Sequence, residues 1–342
     1  MFDLGILADN DLQDSNHLSE AFNWYQRSAD LDEPLGCWQL AVCYRYGKGV
    51  ATNLASYIFW ADRAAAKGSA EAQCYLGEAY RLGQGVSMDH ALALMWYQRA
   101  ATNNYPEACY ALAVDCLADK TNAEAQVESL RWMLRAAQLG HREAQFQYAL
   151  ANWRGTVVPK DRGLWRDWLQ RAADGGWPKA EYMLSQAALA SWAPFAKDPA
   201  AGQKWLERAA QHGDFEAQCK LAIRLLQGAG VPPDRDQALK WWRWAAEHGC
   251  PDAQNDLGYA LMTQAYGRPD VVEAFCWIQL AAKAGMKKAA INQANFSRML
   301  TDEQRWQATL RANDFKPKPV PALNPVVRNG DPGTPMLDMT GG

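Results

Sequence analysis

Apolar, small and polar residues recur along the chain with a period of 36 residues. Within each period, the apolar and small residues return every three or four positions over two stretches, which is the spacing of one face of an α-helix. Tryptophan marks the register at positions 24, 60, 96, 132, 168, 205, 241 and 277, with one extra residue before position 205. Eight copies at this period predict a stack of similar structural units.

Each period also indicates where its helices end and pack. A pair of small residues follows each tryptophan by four and five positions, as Ala64 and Ala65 follow position 60. Eight positions after each tryptophan stands a residue type that tolerates positive φ, which predicts the end of a helix. These residues are Asp32, Gly68, Asn104, Gly140, Gly176, Gly213, Gly249 and Gly285. Small residues twelve and seventeen positions after the tryptophan give the next helix a face that neighbouring helices can approach closely. We therefore predict one helix–turn–helix unit per period.

The combined pattern is A-x-x-x-L-[AG]-x-x-Y-x-x-G-x-G-V followed by W-Y-x-[RK]-A-A-x-x-G, and it closely resembles the Sel-one-like repeat family, relatives of the tetratricopeptide repeat. The best copies are residues 70–86 with 91–101 and residues 215–231 with 238–246. The predicted fold is an all-α, right-handed α-solenoid of about eight helix–turn–helix repeats of 36 residues around one continuous core. The resemblance implies that such a chain acts as an adaptor or scaffold that binds other proteins.

The ends of the array depart from the repeat. We predict a degenerate N-terminal helix over 1–19, the repeat array over 20–286, and two capping helices over 287–315, the second begun by a capping box of Thr301 and Gln304. Residues 316–342 hold six prolines and no helical periodicity, which predicts a tail without a core of its own. The tail is interpreted either as a frayed terminus or as a peptide that docks on the array or on a partner.

Composition narrows the compartment and the partners. With 35 basic and 38 acidic residues, the net charge of -3 lacks the basic excess of a nucleic-acid-binding protein. No stretch approaches the roughly 20 apolar residues that span a bilayer, and the N-terminus lacks the pattern of a secretion signal. Eight cysteines at irregular intervals suit a reducing compartment. We expect a cytoplasmic protein with a protein or peptide partner, no nucleic-acid partner and no direct membrane insertion.

The search for catalytic chemistry finds little that the repeat does not explain. The sequence has no GxSxG, GxxxxGK[ST], HExxH or CxxC motif, and its five histidines are scattered. We therefore expect no catalytic residues, no cofactor and no metal, and a chain that is not an enzyme. Some cysteine-rich exported members of the family have been described as binding or cleaving β-lactams, but the regular cysteine pairs of that branch are missing here.

A solenoid offers a partner the outward side of its first helices instead. Positions 11, 14, 18, 21 and 22 after each tryptophan lie opposite the packed face, vary between units and are rich in residue types that dominate binding hot spots. The predicted partner-binding residues are Trp38, Val42, Arg45, Tyr46, Glu78, Arg81, Leu82, Tyr110, Phe146, Leu150, Trp153, Arg154 and Tyr182. The aromatic residues at position 14 have a second interpretation, which is packing between adjacent first helices. If the surface interpretation holds, changing Arg45 and Arg81 to glutamate weakens binding without lowering the melting temperature.

A second hypothesis is a cytosolic immunity protein that wraps one toxic effector. An adaptor is expected to bind several partners with modest affinity, whereas an inhibitor is expected to bind one partner very tightly. An enzyme is the third and least favoured hypothesis, and it requires a cluster of perturbed ionisable groups in one pocket.

Overall fold

The computed structural model of the chain describes residues 15–118, 122–155, 157–263 and 270–319. Seventeen α-helices, and no β-strand, lie in these ranges. They are α1 (Ser15–Asp30), α2 (Pro34–Tyr46), α3 (Leu54–Ala66), α4 (Ala70–Leu82), α5 (His90–Thr102), α6 (Pro106–Cys116), α7 (Ala123–Gln138), α8 (Arg142–Arg154), α9 (Arg162–Asp174), α10 (Pro178–Ala190), α11 (Pro199–Gln211), α12 (Phe215–Gln227), α13 (Arg235–Glu247), α14 (Pro251–Met262), α15 (Val271–Lys283), α16 (Lys287–Ser297) and α17 (Asp302–Asp314). The even-numbered helices from α2 to α14 are the first helices of the predicted units, and α1 and the odd-numbered helices to α15 are the second helices.

From α1 to α7, and again from α9 to α16, each helix packs on the next one in the chain, both within a repeat, as α4 packs on α5, and between repeats, as α3 packs on α4. This arrangement is an all-α solenoid of helix pairs, as the sequence predicts. At a level above the repeat, the chain divides into two larger compact parts, the first unit and the second unit. The first runs to Ala151 and includes 155–159, and the second holds 152–154 and the described residues from Lys160 onward. One continuous core and the right-handed superhelix stay predictions.

The turn between the second helix of one unit and the first helix of the next confirms the prediction of positive φ. All eight residues that stand eight positions after the tryptophans have φ between 59° and 94°, including the non-glycine residues Asp32 and Asn104. The small pair that precedes each of these residues is buried in every repeat, apart from the partly buried Ala282. Neighbouring helices approach closely at these small residues: a Cβ added to Gly77 would lie 2.8 Å from the ring of Tyr97, and one added to Gly258 would lie 2.6 Å from the carbonyl oxygen of Ala274.

In several repeats, a buried glutamine that was not predicted from the sequence links the two sides of this turn through a hydrogen bond. The side-chain amide of Gln73 donates to the carbonyl oxygen of Ala65 at 3.0 Å, eight residues earlier. The same bond joins Gln145 to Ala137, Gln218 to Ala210, and Gln254 to Ala246 at 2.9–3.1 Å. Each bond satisfies a buried carbonyl near a helix end, where backbone groups have no partner within the helix.

In another repeat, the position equivalent to this glutamine holds a carboxylate instead. Glu181 is fully buried and lies 2.9 Å from Nε of Arg208 and 2.7 Å from Nδ1 of His212, both on or next to α11. Arg208 also donates to the carbonyl oxygen of Ala173. Ala173 stands at the position whose carbonyl oxygen accepts from glutamine in the other repeats. An ion pair therefore replaces the glutamine bond here.

The predicted capping box is present at the start of α17. The hydroxyl of Thr301 accepts from the N–H of Gln304, and the Gln304 side chain accepts from the N–H of Thr301. Leu300, Ala308 and Ala312 are buried beside α15. Most of the helix predicted over 1–19 lies outside the described residues, as does the tail from position 320. None of the described helices is both long and apolar enough to span a lipid bilayer.

Candidate functional site

A cleft of about 550 Å³ lies in the first unit between α4, α5 and α6. Two of these helices are first helices of consecutive repeats, and α5 is the second helix between them. The lining residues are Cys74, Tyr75, Glu78, Arg81, His90, Ala93, Leu94, Tyr97, Glu107, Tyr110, Ala111, Val114, Asp115 and Ala118. A concave surface with a few polar groups among apolar ones is the usual form of a binding site.

The α4 wall follows from the spacing of buried residues along that helix. Ala72, Leu76 and Ala79 are buried on one side, at the three-to-four-residue spacing of a helix face. Glu78 and Arg81 are three residues apart and therefore share a different side, the side that borders the cleft.

The α6 wall has the same design. Ala108, Leu112 and Ala113 are buried, whereas Val114 is 47% exposed beside the cleft. Tyr110 is held by its neighbours: its ring stacks on His141 with centroids 4.4 Å apart, and its hydroxyl hydrogen-bonds to the Glu143 side chain. The cleft therefore presents a positioned aromatic ring and an exposed aliphatic side chain.

The residues of α5 that line the cleft were not predicted from the sequence, because only first helices were considered as a partner-binding surface. Tyr97 is 5% exposed and hydrogen-bonds to Arg81, so it joins α5 to α4. His90 Nε2 lies 3.3 Å from Asp115 Oδ1 and joins α5 to α6. The repeat pattern contains a signal for Tyr97, because tyrosine directly follows the marker tryptophan in the W-Y motif.

Burial keeps three tyrosines of the first unit neutral at physiological pH. Burial raises the pKa of Tyr57 to about 12, and burial also raises the pKa of Tyr75 and of Tyr110. Burial raises the pKa of the Cys74 thiol as well, so this cysteine has little thiolate with which to act as a nucleophile. Among the described residues, no group of three or more His, Cys, Asp and Glu side chains is placed to hold a metal ion.

Arg45 lies behind the cleft and holds its α4 wall in place. Its guanidinium lies 3.0 Å from Glu78 Oε2 and donates to the Gln84 side chain at 3.3 Å. It also lies 5.0–5.3 Å from the ring centroids of Tyr46, Tyr57 and Tyr75, within the range of a cation–π interaction. The Arg45 side chain is only 13% exposed. Arg45 is therefore part of the packing between repeats, which corrects the expectation that its replacement leaves stability unchanged.

Of the predicted partner-binding residues, Glu78, Arg81 and Tyr110 meet in the cleft. Trp38 and Phe146 are 3% and 6% exposed. Such side chains offer a partner almost no surface, so these two are corrected to packing residues, the second interpretation considered above.

The other predicted residues lie outside the cleft lining. In the first unit, Tyr46 and Leu82 are exposed, whereas Val42 and Leu150 are partly buried. In the second unit, Trp153 is exposed, with its ring tilted against that of Trp165 at a centroid distance of 4.4 Å, Arg154 is exposed and Tyr182 packs against the core. The structure thus brings together one part of the predicted set.

A stack of helix pairs that repeats every 36 residues defines a helical-repeat protein of the solenoid class. The Sel1 repeat family model matches residues 1–33, 34–69, 70–105, 106–141, 142–177, 178–214, 215–250 and 251–286. The chain belongs to the Sel1 repeat family. The first matched repeat includes the residues that the sequence analysis treated as a degenerate helix.

Among solved structures, the chain is similar to a Sel1 repeat protein from Oxalobacter formigenes, with 32% identity, a TM-score of 0.61 and coverage of 86% of this chain and 85% of that one. It is less similar to c5321, a protective antigen of uropathogenic Escherichia coli with an SLR fold, with 24% identity, a TM-score of 0.44 and coverage of 92% and 83%. The immunity protein Pa5087 from Pseudomonas aeruginosa has 17% identity, a TM-score of 0.33 and coverage of 75% and 84%. No curated protein matches the chain.

Proposed function

We propose that this chain is a non-catalytic adaptor that binds a protein or peptide segment in the cleft between α4, α5 and α6. Sel1 repeat proteins are generally protein-interaction modules. The observation that carries the proposal is the cleft itself, because packing between two repeats leaves open a cavity lined by tyrosines, an arginine and an exposed valine. Tyrosine and arginine are enriched in binding hot spots.

The charges of the cleft favour a partner segment with a basic side chain. Glu78, Glu107 and Asp115 contribute three carboxylates to the lining, against the guanidinium of Arg81 in the lining and that of Arg45, which pairs with Glu78 from behind. Neutral tyrosine rings beside carboxylates attract a cation through their faces as well. Basic segments of a partner are therefore steered toward the cleft, more strongly at low salt than at high salt.

The absence of catalysis and the cytoplasmic location are part of the same proposal. Two of the titratable pairs near the cleft are already engaged with each other: Glu78 with Arg45, and His90 with Asp115. A reducing compartment is supported by eight cysteines that are free thiols in the structure. The net charge of -3 supports a protein partner over a nucleic acid.

The test compares two valines that are equally exposed. Val114 borders the cleft and is 47% exposed, whereas Val127 lies on α7 outside the cleft lining and is 43% exposed. A partner is first isolated with the unmodified chain, and its Kd is then measured for Val114→Arg and Val127→Arg. We expect Val114→Arg to weaken binding at least tenfold, because a bulky cation occupies the cleft and repels a basic segment.

The matched variant Val127→Arg is expected to bind like the unmodified chain, and circular dichroism checks that both variants are folded. Equal affinity of both variants would place the partner elsewhere. The affinity itself separates an adaptor from an immunity protein, since the latter requires binding at the nanomolar level or tighter to one partner. Turnover of a β-lactam would contradict the non-catalytic proposal.

A further inference from the structure

In five repeats, the marker tryptophan of the second helix is covered by an arginine that stands one turn later in the same helix. The guanidinium lies 4.6–5.3 Å from the ring centroid of the tryptophan, a cation–π geometry. The pairs are Trp24 with Arg27, Trp60 with Arg63, Trp96 with Arg99, Trp168 with Arg171, and Trp205 with Arg208. The arginine thus shields an aromatic face that would otherwise meet water.

The last two repeats lack this arginine. Trp244 and Leu280 stand where it belongs, three residues after Trp241 and Trp277. The ring of Phe315 lies edge-on to Trp277, with centroids 5.4 Å apart, and Phe315, Trp244 and Leu280 all pack against the apolar cluster to which Trp277 belongs. Phe315, the residue after α17, therefore packs on a marker tryptophan that has no covering arginine.

The residues after Phe315 continue along this surface as an extended segment. Pro317 lies over the turn at Gly249, where an added Cβ would be 3.2 Å from the proline ring. The N–H of Lys318 donates to the carbonyl oxygen of Glu247 at 2.9 Å, and its ammonium lies 2.6 Å from Glu247 Oε2. Glu247 is the last residue of α13, so Lys318 satisfies one of the carbonyls that a helix C-terminus leaves open and brings a cation to that end.

We infer that Trp244, Glu247, Gly249, Trp277 and Leu280 form a second recognition surface, for an extended peptide with an aromatic residue and a lysine three positions later. Its occupant is this chain's own segment, Phe315–Pro319. This surface belongs to the second unit and does not depend on the cleft. The segment docks because its side chains and backbone are recognised, and not only because α17 ends nearby. The alternative interpretation of the tail as frayed does not hold for residues 316–319.

The test uses the full-length chain and a labelled peptide of residues 313–319. In the unmodified chain the tethered segment has a high effective concentration and excludes the peptide. The double variant Phe315→Ala with Lys318→Glu removes the aromatic contact and reverses the ion pair. We expect this variant to bind the peptide at least tenfold more tightly than the unmodified chain does, and to discriminate against a scrambled peptide.

A charge exchange identifies the contact. Adding Glu247→Lys to a chain in which Phe315 and Lys318 are both replaced by alanine, so that the tethered segment carries no complementary charge, is expected to abolish binding of the natural peptide and to restore it for a peptide carrying Lys318→Glu. A folded double variant that binds neither peptide, or that binds the scrambled peptide equally well, overturns the inference.

A second measurement needs no variant that might unfold the chain. Amide exchange of the unmodified protein, followed with ¹⁵N-lysine labelling, is expected to show a protected amide at Lys318 because of its bond to Glu247. Exchange of Lys318 at the rate of an unstructured peptide also overturns the inference.

Discussion

Replacing Arg45 with a neutral or acidic residue tests whether the wall of the cleft depends on packing between repeats. Arg45 lies in the last turn of α2, and its guanidinium contacts Glu78 and Gln84 of the next repeat. Three tyrosine rings surround the guanidinium. Arg45→Met keeps much of the aliphatic volume and removes the charge. Arg45→Glu in addition places a like charge against Glu78.

The structure sets the expected magnitude. The side chains of the Arg45–Glu78 pair are 13% and 33% exposed, so the cost of breaking it lies between about 1 kcal/mol for exposed pairs and about 3–5 kcal/mol for buried ones. The tyrosine contacts add about 1 kcal/mol, because cation–π interactions at partly exposed sites are weak and not additive. We expect Arg45→Met to lower the free energy of unfolding by about 3 kcal/mol, and Arg45→Glu by roughly 1 kcal/mol more.

Calorimetric melting is the assay. Each kcal/mol corresponds to roughly 2–4 °C in a unit of this size, so Arg45→Met is expected to lower the Tm of the first unit by about 6–12 °C. Arg131→Glu is the control, because Arg131 is an exposed residue of α7 in the same unit and its replacement is expected to change stability by less than about 0.5 kcal/mol. A variant Arg45→Met that melts with the unmodified chain would refute the structural role of Arg45.

Three further predictions concern other buried positions. Glu181→Gln is expected to change stability by less than about 1 kcal/mol, because glutamine makes the carbonyl bond found in other repeats, whereas Glu181→Ala is expected to cost about 1–3 kcal/mol, because it removes the buried acceptor of His212 and Arg208 without replacing it. Ala144→Leu is expected to cost about 1–3 kcal/mol in urea denaturation, because Ala144 has no exposed surface and the added carbons overpack adjacent helices. Burial lowers the pKa of His141 to about 4, so stability is expected to be complete above pH 6.5 and to fall by up to about 3 kcal/mol as the pH drops through 4.

Each of these predictions has its own contradicting result. Equal losses for Glu181→Gln and Glu181→Ala would show that the charge itself is required. A leucine at position 144 that leaves the urea midpoint unchanged would contradict the close helix approach. His141 caps α8 by accepting from the N–H of Ala144, so His141→Asn keeps a cap and is expected to lose the pH dependence. The same acid sensitivity in that variant would assign it to another group.

The repeat made most of the fold predictable from sequence. Positive φ eight residues after each tryptophan, the buried small pairs and the capping box at Thr301 depend on local backbone geometry and residue size, which a repeated pattern displays directly. The glutamine bond was visible in the same register, as Gln73 and Gln145, but its meaning depends on which carbonyl lies across the turn.

The candidate site was less predictable, for a physical reason. A helical wheel separates the packed side of one helix from the rest, but it does not show what the next repeat places against that rest. Arg45 was therefore interpreted as free surface, although Glu78 and Tyr75 of the next repeat, and two tyrosines of its own repeat, surround it. His90 and Tyr97 were missed because the cleft also uses a second helix, and the width of a cleft depends on how three helices are arranged.

Site-specific photocrosslinking in the native cell tests the central claim most directly. A benzoylphenylalanine is placed at Val114 beside the cleft or at Val127 on α7, two positions of nearly equal exposure. The account predicts that the probe at 114 forms a covalent adduct with a partner protein and that the probe at 127 does not. An adduct formed at 127, with none at 114 while the partner still binds, would contradict it.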